Sequence, residues 1–268
     1  MSPTTSLAEY CVVLLGRVNV TSVRPSWSAL PAGVREYAER EFGCRVVDAL
    51  SCGGGYTPGF ASRLLLEDGR RVFLKGLAGD HPFAPEYAAE AMIAAVLPDG
   101  AGPRVLWSGD PGLTGWWLLC LEDLPGGHPV LAAGSADVAA VVDAVELAGK
   151  VLTPCPLPGA PQLADTIGGW LTGWQQLEEH PPADLDPWAS RHLDGLAALE
   201  PAWRDEAVGD TLVHWDVRPD NMIRRADRTV VLIDWSSPRQ GAAWIDPLLL
   251  VPQLVLAGHT PAAAEAVV

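Results

Sequence analysis

The feature that most restricts the fold is a polar segment, residues 211–221 (TLVHWDVRPDN), followed closely by an apolar stretch that ends in an aspartate, residues 230–235 (VVLIDW). Charged and amide side chains at this density do not suit a buried strand, whereas the second segment is apolar enough to be one. The fold must therefore hold a polar loop beside the end of a buried strand. One short hairpin between the segments would bring Asp216 and Asn221 close to Asp234.

These side chains fit phosphoryl transfer to an alcohol, which needs few chemical parts. A carboxylate must orient the hydroxyl and accept its proton, and Asp216 fits that role. Oxygen ligands must hold Mg²⁺ against the phosphates, and Asn221 and Asp234 fit that role. Arg218 could reach the transferring phosphate and offset its charge. Each residue alone could be a turn cap, but the set of four with Lys75 upstream favours a catalytic site.

A second group of residues, upstream, suits phosphate binding. The segment 51–62 (SCGGGYTPGFAS) separates two predicted strands, and its glycines would let backbone N–H groups approach phosphate oxygens, although alone it could be an irregular hairpin. Lys75, one of two lysines in the chain, supplies positive charge. Glu86 and Glu90 share one face of the next helix, and we expect Glu90, with its more apolar flanks, to pair with Lys75. The glycines predicted at the phosphates are Gly53, Gly54 and Gly55.

Hydrophobic periodicity and turn residues predict an α+β chain with two lobes. Residues 1–25 are an N-terminal extension. Residues 26–123 are a small antiparallel β lobe with one helix, and residues 124–268 are a larger, mainly helical lobe that carries the catalytic loop and the acceptor pocket. The predicted strands are residues 45–50, 61–66, 71–75, 103–108, 115–123, 222–225 and 228–234. The predicted helices are residues 33–42, 85–97, 136–152, 167–179 and 191–199.

Composition excludes several classes of function. The net charge of −15 argues against a nucleic-acid partner and suits a cationic substrate, although acidity also serves solubility. The longest apolar run near the N-terminus is too short to span a membrane and lacks the basic flank of a signal peptide, so we expect a soluble, cytoplasmic protein without membrane contact. The five cysteines are scattered and predict neither a zinc site nor a disulfide framework.

A family resemblance rests on four features in order along the chain. Lys75, Glu90, the segment HWDVRPDN (214–221) and the segment IDW (233–235) resemble the aminoglycoside phosphotransferase family. Its members are small-molecule kinases with the two-lobed protein-kinase-like fold. The resemblance covers roughly residues 26–255, and its most specific part is the spacing of the catalytic segment.

The resemblance implies ATP and Mg²⁺ as cofactors and a role for each matching residue. Asp216 would be the catalytic base. Lys75 would contact the α- and β-phosphates and would pair with Glu90. Asn221 and Asp234 would be the magnesium ligands.

The resemblance also suggests roles at the edges of the site. The segment 118–126 (LLCLEDLPG) looks like the family hinge, where adenine would bond to the Leu121 carbonyl and the Asp123 N–H. His214 matches a histidine that supports the loop through hydrogen bonds. Asp246 matches an aspartate that buttresses the catalytic loop; without the resemblance it would be a residue at a helix N-terminus.

The acceptor should lie between the catalytic loop and the helices of residues 135–210 and 240–268. A cationic or polyhydroxylated small molecule, with an aminoglycoside or an amino sugar first, would suit the acidic side chains of this region, although such charges also form solvated faces. Trp170 and Trp174 could stack on a sugar or pack in the core. The acidic residues are Glu178, Glu179, Asp184, Asp186, Glu200, Asp205, Glu206 and Asp210.

The sequence also departs from the family pattern. The glycine loop reads GGGYTPG rather than GxGxxG, and IDW stands where protein kinases have DFG, which speaks against a protein kinase. Family members continue further beyond Asp234, so either the acceptor pocket is reduced or the chain is cut. The alternative function is a nucleotide-binding pseudokinase or regulatory module without turnover. The intact Asp216, Asn221 and Lys75 argue against it, and a metal-dependent hydrolase would not explain Lys75.

Overall fold

A computed structural model describes residues 23–53, 58–169 and 171–268. Most of the predicted N-terminal extension therefore lies outside the described residues. The N-terminal part is built on a five-stranded antiparallel sheet in the order β1-β2-β3-β5-β4. Its strands are β1 Val46–Ser51, β2 Phe60–Leu66, β3 Arg71–Ala78, β4 Val105–Gly109 and β5 Trp116–Glu122.

The β2–β3 hairpin sets the register that places Lys75. Its turn contains Asp68 and Gly69, and Gly69 has a φ of 87°, which glycine adopts without strain. From that turn the strands pair so that Ala61 lies opposite Lys75. Lys75 also lies opposite Leu119 of β5, so it occupies the middle of the sheet.

Two helices cover the two faces of this sheet: α1 (Ala32–Phe42) and α2 (Ala84–Ala94). Because side chains alternate along a strand, β5 serves both. Its residues Leu118 and Cys120 belong to the apolar cluster of α1, whereas Leu119 and Leu121 pack with Ala94 of α2. The sheet thus brings α2, which carries Glu90, against the face where Lys75 lies.

The C-terminal part is mainly helical, and its core forms around two helices, α4 (Asp137–Val151) and α9 (Ile245–Leu256). Apolar side chains of these helices, such as Val141, Leu250 and Leu254, pack with Met222 and Leu232 from a two-stranded hairpin. The helices of this part are α4 Asp137–Val151, α5 Leu163–Ile167, α6 Gly173–Glu179, α7 Pro187–Leu199, α8 Trp203–Glu206, α9 Ile245–Leu256 and α10 Pro261–Glu265, whereas the short helix α3 (Pro111–Thr114) joins β4 to β5 in the N-terminal part. The strands are β6 Thr211–Val213, β7 Met222–Arg224, β8 Val230–Leu232 and β9 Arg239–Gly241.

The predicted single helix over residues 167–179 is wrong. Two short helices, α5 (Leu163–Ile167) and α6 (Gly173–Glu179), occur instead. Glycine disfavours helix continuation, and α5 ends just before Gly168. A side chain at position 168 would also collide with Arg204, because a Cβ there would lie 2.8 Å from Cζ of that residue.

Within the described part of the chain, the helices are all too short or too polar to cross a lipid bilayer. The five-stranded sheet ends at Glu122, one residue before the predicted lobe boundary. That boundary stays a prediction.

Candidate active site

The predicted catalytic loop leaves β6 and is held by a buried carboxylate from α9. The backbone N–H groups of His214 and Trp215 each donate a hydrogen bond of 2.8 Å to the Asp246 carboxylate. Asp246 lies in the first turn of α9 and is 6% exposed. Burial raises its pKa, although His214 and the two N–H donors oppose that shift. The loop backbone is thus fixed from a distant helix.

His214 joins this loop to the segment that carries Asp234. Its Nε2–H donates to the carbonyl of Ile233 at 2.8 Å. Its ring packs edge-on against Trp235, with centroids 4.6 Å apart. The Trp235 indole N–H in turn donates to the Ala101 carbonyl at 3.1 Å. A chain of contacts therefore runs from the catalytic loop to the α2–β4 connection.

Asp216 and Asn221 form a hydrogen-bonded pair. Nδ2 of Asn221 donates to the backbone carbonyl of Asp216 at 2.9 Å and to its carboxylate at 2.8 Å. Both amide protons are thereby used, so Oδ1 of Asn221 is the remaining group and can only accept. The Asp216 side chain is 51% exposed, and Nε of Arg218 lies 3.3 Å from its carboxylate. The base candidate is thus accessible and fixed on one side.

Lys75 bridges two carboxylates. Its Nζ lies 2.5 Å from Glu90 and 3.0 Å from Asp234. Burial disfavours the charge of Lys75, but Asp234 and Glu90 outweigh it and raise the pKa of Lys75 above its ordinary value. Glu86, half-buried on the same helix, makes no direct contact of this kind among the described ion pairs. Of the two glutamates on this helix, Glu90 is therefore the one that pairs with Lys75, as the sequence predicted.

The two carboxylates at Lys75 differ in their electrostatics. Burial raises the pKa of Glu90 to about 7, with Lys75 opposing the shift and Asp234 adding to it. The nearby Lys75 charge lowers the pKa of Asp234. Asp234 also has a left-handed backbone, with φ of 64°, a conformation that aspartate tolerates better than most residues. Asp234 is therefore held ionised at the end of the strand.

The predicted hinge is tied to β2 by a residue that the sequence did not single out. Nε of Arg63 donates to the Asp123 carboxylate at 2.6 Å, and its guanidinium also donates to the Leu124 carbonyl. Leu121 is buried within β5, opposite Phe73 of β3. The contacts of Leu121 and Asp123 with adenine stay a prediction.

The glycine-rich segment is described only in part. Gly53 is exposed, whereas Gly54 and Gly55 lie outside the described residues. Where the segment enters β2, Gly59 leaves no room for a side chain: a Cβ there would lie 2.1 Å from the Tyr87 hydroxyl. Tyr87 lies on α2, and its ring centroid is 5.1 Å from Nζ of Lys75. Gly59 therefore lets the segment approach α2 beside Lys75.

A cleft of about 230 Å³ lies between the catalytic loop and the segment that carries Asp234. Its lining consists of His214, Trp215, Asp216, Asp234, Ser236 and Ser237. Among the described residues, no group of three or more His, Cys, Asp or Glu side chains could hold a metal ion. Mg²⁺ in phosphoryl transfer needs fewer protein ligands, because phosphates and water complete its octahedron. The carboxylate of Asp234 and the accepting Oδ1 of Asn221 fit that requirement.

Some of the residues that the sequence suggested for acceptor binding have structural roles. Trp174 does not line the cleft, and Trp170 lies outside the described residues. The Glu200 carboxylate accepts the N–H groups of Trp174 and Gln175 at 3.0 and 2.9 Å, and so caps the start of α6. Asp186 likewise caps α7. These two acids stabilise helix ends.

A family model and several solved structures match this chain. The model of the phosphotransferase enzyme family (APH) matches residues 59–257. No curated protein matches. Aminoglycoside-3'-phosphotransferase of type VIII is 22% identical, with 88% of each chain covered and a TM-score of 0.55.

Two further structures have the same fold. Choline kinase LicA from Streptococcus pneumoniae is 15% identical, with 87% of this chain and 77% of that chain covered and a TM-score of 0.57. A thermostable mutant of aminoglycoside phosphotransferase APH(4)-Ia, in ternary complex with ADP and hygromycin B, is 18% identical, with 88% and 80% covered and a TM-score of 0.51. The predicted two-lobed protein-kinase-like α+β fold is confirmed. The chain belongs to the phosphotransferase enzyme family.

Proposed function

We propose that this chain transfers the γ-phosphoryl group of ATP to a hydroxyl of a small organic molecule, with Mg²⁺ as cofactor. The observation that supports it best is the bridge from Nζ of Lys75 to Glu90 at 2.5 Å and to Asp234 at 3.0 Å. A buried lysine held between a helix carboxylate and a cleft carboxylate suits phosphate binding beside a metal. An ion pair with a purely structural role would need only Lys75 and Glu90. Here Asp234 is a third group, and its side chain is 46% exposed.

Asp216 acts as the base in this proposal. Its carboxylate is accessible enough to meet an acceptor hydroxyl, and the Asn221 amide holds it in one orientation at 2.8 Å. A carboxylate in this position orients the hydroxyl and takes its proton as the phosphoryl group transfers. Arg218, 3.3 Å from that carboxylate, offsets charge that develops on the phosphoryl oxygens.

Lys75 changes partners during nucleotide binding. The phosphates of ATP attract its ammonium and replace Asp234 as the second anion, while Glu90 keeps its hold at 2.5 Å. Asp234 and Oδ1 of Asn221 are then available to Mg²⁺. Mg²⁺ held by these two residues would neutralise charge on the phosphates.

The acceptor that we propose is an aminoglycoside-like antibiotic or an amino sugar. The support is the family, together with structural neighbours that include an enzyme solved with hygromycin B and a choline kinase. The carboxylates of the cleft suit the positive charge that such molecules carry.

An ADP-release assay tests the proposal. The enzyme, ATP and Mg²⁺ are mixed with a panel of aminoglycosides, amino sugars and amino alcohols, and ADP is followed through a linked enzyme reaction. We expect release that depends on one acceptor class and is lost in Asp216→Ala. Asp194→Ala, which changes an exposed aspartate on α7 outside the cleft, is the matched control and should retain the rate. Acceptor-dependent release that survives in Asp216→Ala would contradict the assignment of the base.

A further inference from the structure

Trp215 occupies a backbone position that a bulky residue rarely takes. Its φ is 51°, in the left-handed region. Of the described non-glycine residues, only Arg228 and Asp234 share a positive φ. Glycine, asparagine or aspartate would adopt this conformation at lower cost. A tryptophan next to the candidate base therefore needs a compensating function, since strain of this kind collects at functional sites.

Two hydrogen bonds hold Trp215 in place. Its N–H donates to the Ser237 carbonyl, and the backbone N–H of the same residue donates to Asp246 at 2.8 Å. Part of the side chain packs against an apolar cluster that includes Val213 and Ile245. The backbone and the ring nitrogen are thus both held by hydrogen bonds, so the side chain is preorganised and loses little rotamer entropy when a ligand binds.

Trp215 also belongs to the lining of the cleft. The residue is partly buried and lines the cleft together with Asp216 and Asp234. In the described part of the chain, the cleft lining contains the carboxylates of Asp216 and Asp234 together with Trp215. Each carboxylate has one cationic neighbour outside the lining: Arg218 lies 3.3 Å from Asp216, and Lys75 lies 3.0 Å from Asp234. An aromatic face beside carboxylates is the combination that binds organic ammonium groups, because the ring quadrupole and the anions attract the same charge.

We propose that Trp215 is the platform on which the acceptor binds, and that the acceptor is a hydroxylated organic ammonium whose cationic end lies on the indole while its hydroxyl faces Asp216. The proposal rests on the proposed function, because it takes Asp216 as the base. Under this proposal, the side chain of Trp215 selects a charged acceptor over a neutral one.

The test compares charged and neutral probes of the same shape. The chain, loaded with Mg²⁺ and AMP-PNP, is titrated in a calorimeter with choline and with its neutral isostere 3,3-dimethylbutan-1-ol. A second pair is 2-deoxystreptamine and scyllo-quercitol, in which two hydroxyls replace the two amines. We expect the charged member of at least one pair to bind more tightly. In Trp215→Leu this preference should fall by about threefold to thirtyfold, the range of a cation–π contact.

Two further variants separate ligand binding from folding. Trp203→Leu is the control, because Trp203 packs on the same apolar cluster, has no hydrogen-bond partner for its indole N–H, and does not line the cleft. It should keep the preference of the wild type. If Trp215→Leu does not fold, Trp215→Phe keeps a weaker aromatic face and should show an intermediate preference.

Equal binding of both members in both pairs, or a preference that survives the loss of the indole, would overturn the proposal. Its failure is distinguishable from failure of the proposed function, since these titrations need no turnover. Turnover that is lost in Asp216→Ala, together with charge preference that is unchanged in Trp215→Leu, would remove the platform and keep the kinase. For any acceptor that is phosphorylated, Trp215→Leu should raise the acceptor KM and leave the ATP KM unchanged.

Discussion

The substitution Glu90→Gln should weaken catalysis and, at neutral to alkaline pH, reduce an electrostatic cost to the fold. Glu90 is 2% exposed and its carboxylate lies 2.5 Å from Nζ of Lys75. Glutamine keeps the shape of the side chain and removes its charge. Lys75 then has Asp234 as its remaining anion, at 3.0 Å, and is drawn toward the metal ligand and away from the phosphates.

The size of the effect on stability follows from the pKa of Glu90. Its pKa is raised from 4.5 to about 7, chiefly by burial. A group whose pKa is raised in the folded state stabilises the fold fully below the unfolded value and loses that contribution as pH rises through the folded value. At about 1.4 kcal/mol for each pKa unit, ionised Glu90 costs about 3 kcal/mol above pH 7. Glutamine, always neutral, does not bear this cost.

Urea unfolding of both proteins at pH 5 and pH 8 measures this difference. The free energy of unfolding of Glu90→Gln, relative to wild type, should rise by about 2–3 kcal/mol between the two pH values, because part of the change already occurs below pH 5. Turnover at pH 8 should fall by at least an order of magnitude, because the phosphate-binding position of Lys75 is lost. Glu86→Gln, four residues earlier on α2, is the control for activity and should retain turnover. A relative stability that does not change with pH would refute the electrostatic reasoning.

Three further substitutions test other contacts of the site. Asn221→Ala should raise the Mg²⁺ concentration needed for half-maximal turnover at least tenfold, because the accepting Oδ1 is lost, and a magnesium titration measures it. Asp246→Ala should cost about 2–4 kcal/mol in the free energy of unfolding, because two N–H groups lose their acceptor. Trp235→Phe should cost about 1–2 kcal/mol, because the Ala101 carbonyl loses its donor. Thermal or urea unfolding measures both.

Controls and contrary outcomes differ among these three. A magnesium requirement unchanged in Asn221→Ala would exclude that residue as a ligand. Unfolding of Asp246→Ala at the wild-type midpoint would show that solvent satisfies the two N–H groups. Trp107→Phe is the control for Trp235→Phe, because the indole N–H of Trp107 has no hydrogen-bond partner. An equal loss of stability in both variants would attribute the effect to packing.

Local patterns were enough to predict the parts of the site that lie on regular elements. The Asp68-Gly69 turn sets the register of β2 and β3, and the register places Lys75. Helical spacing left Glu86 and Glu90 as alternatives, and the more apolar flanks of Glu90 identified the buried one correctly. In these cases the determining interactions are short-range, so the sequence contains them.

Contacts between distant segments could not be predicted in the same way. The ion pair of Arg63 with Asp123 joins residues far apart in the chain, and so does the hydrogen bond from the Trp215 indole to the Ser237 carbonyl. Each follows from the assembled core rather than from local preference. The sequence contains one sign of the role proposed for Trp215, which is its place between a histidine and an aspartate in a polar loop.

The phosphorus-31 NMR spectrum of the reaction distinguishes phosphoryl transfer to an acceptor from hydrolysis of ATP. Wild-type enzyme is incubated with ATP, Mg²⁺ and the acceptor that gives the fastest ADP release, and the fate of the γ-phosphorus is followed. We expect a new phosphomonoester signal that grows as ATP is lost, at a rate about 100-fold lower in Asp216→Asn. Inorganic phosphate as the sole product, or an unchanged rate of ester formation in Asp216→Asn, would contradict this expectation.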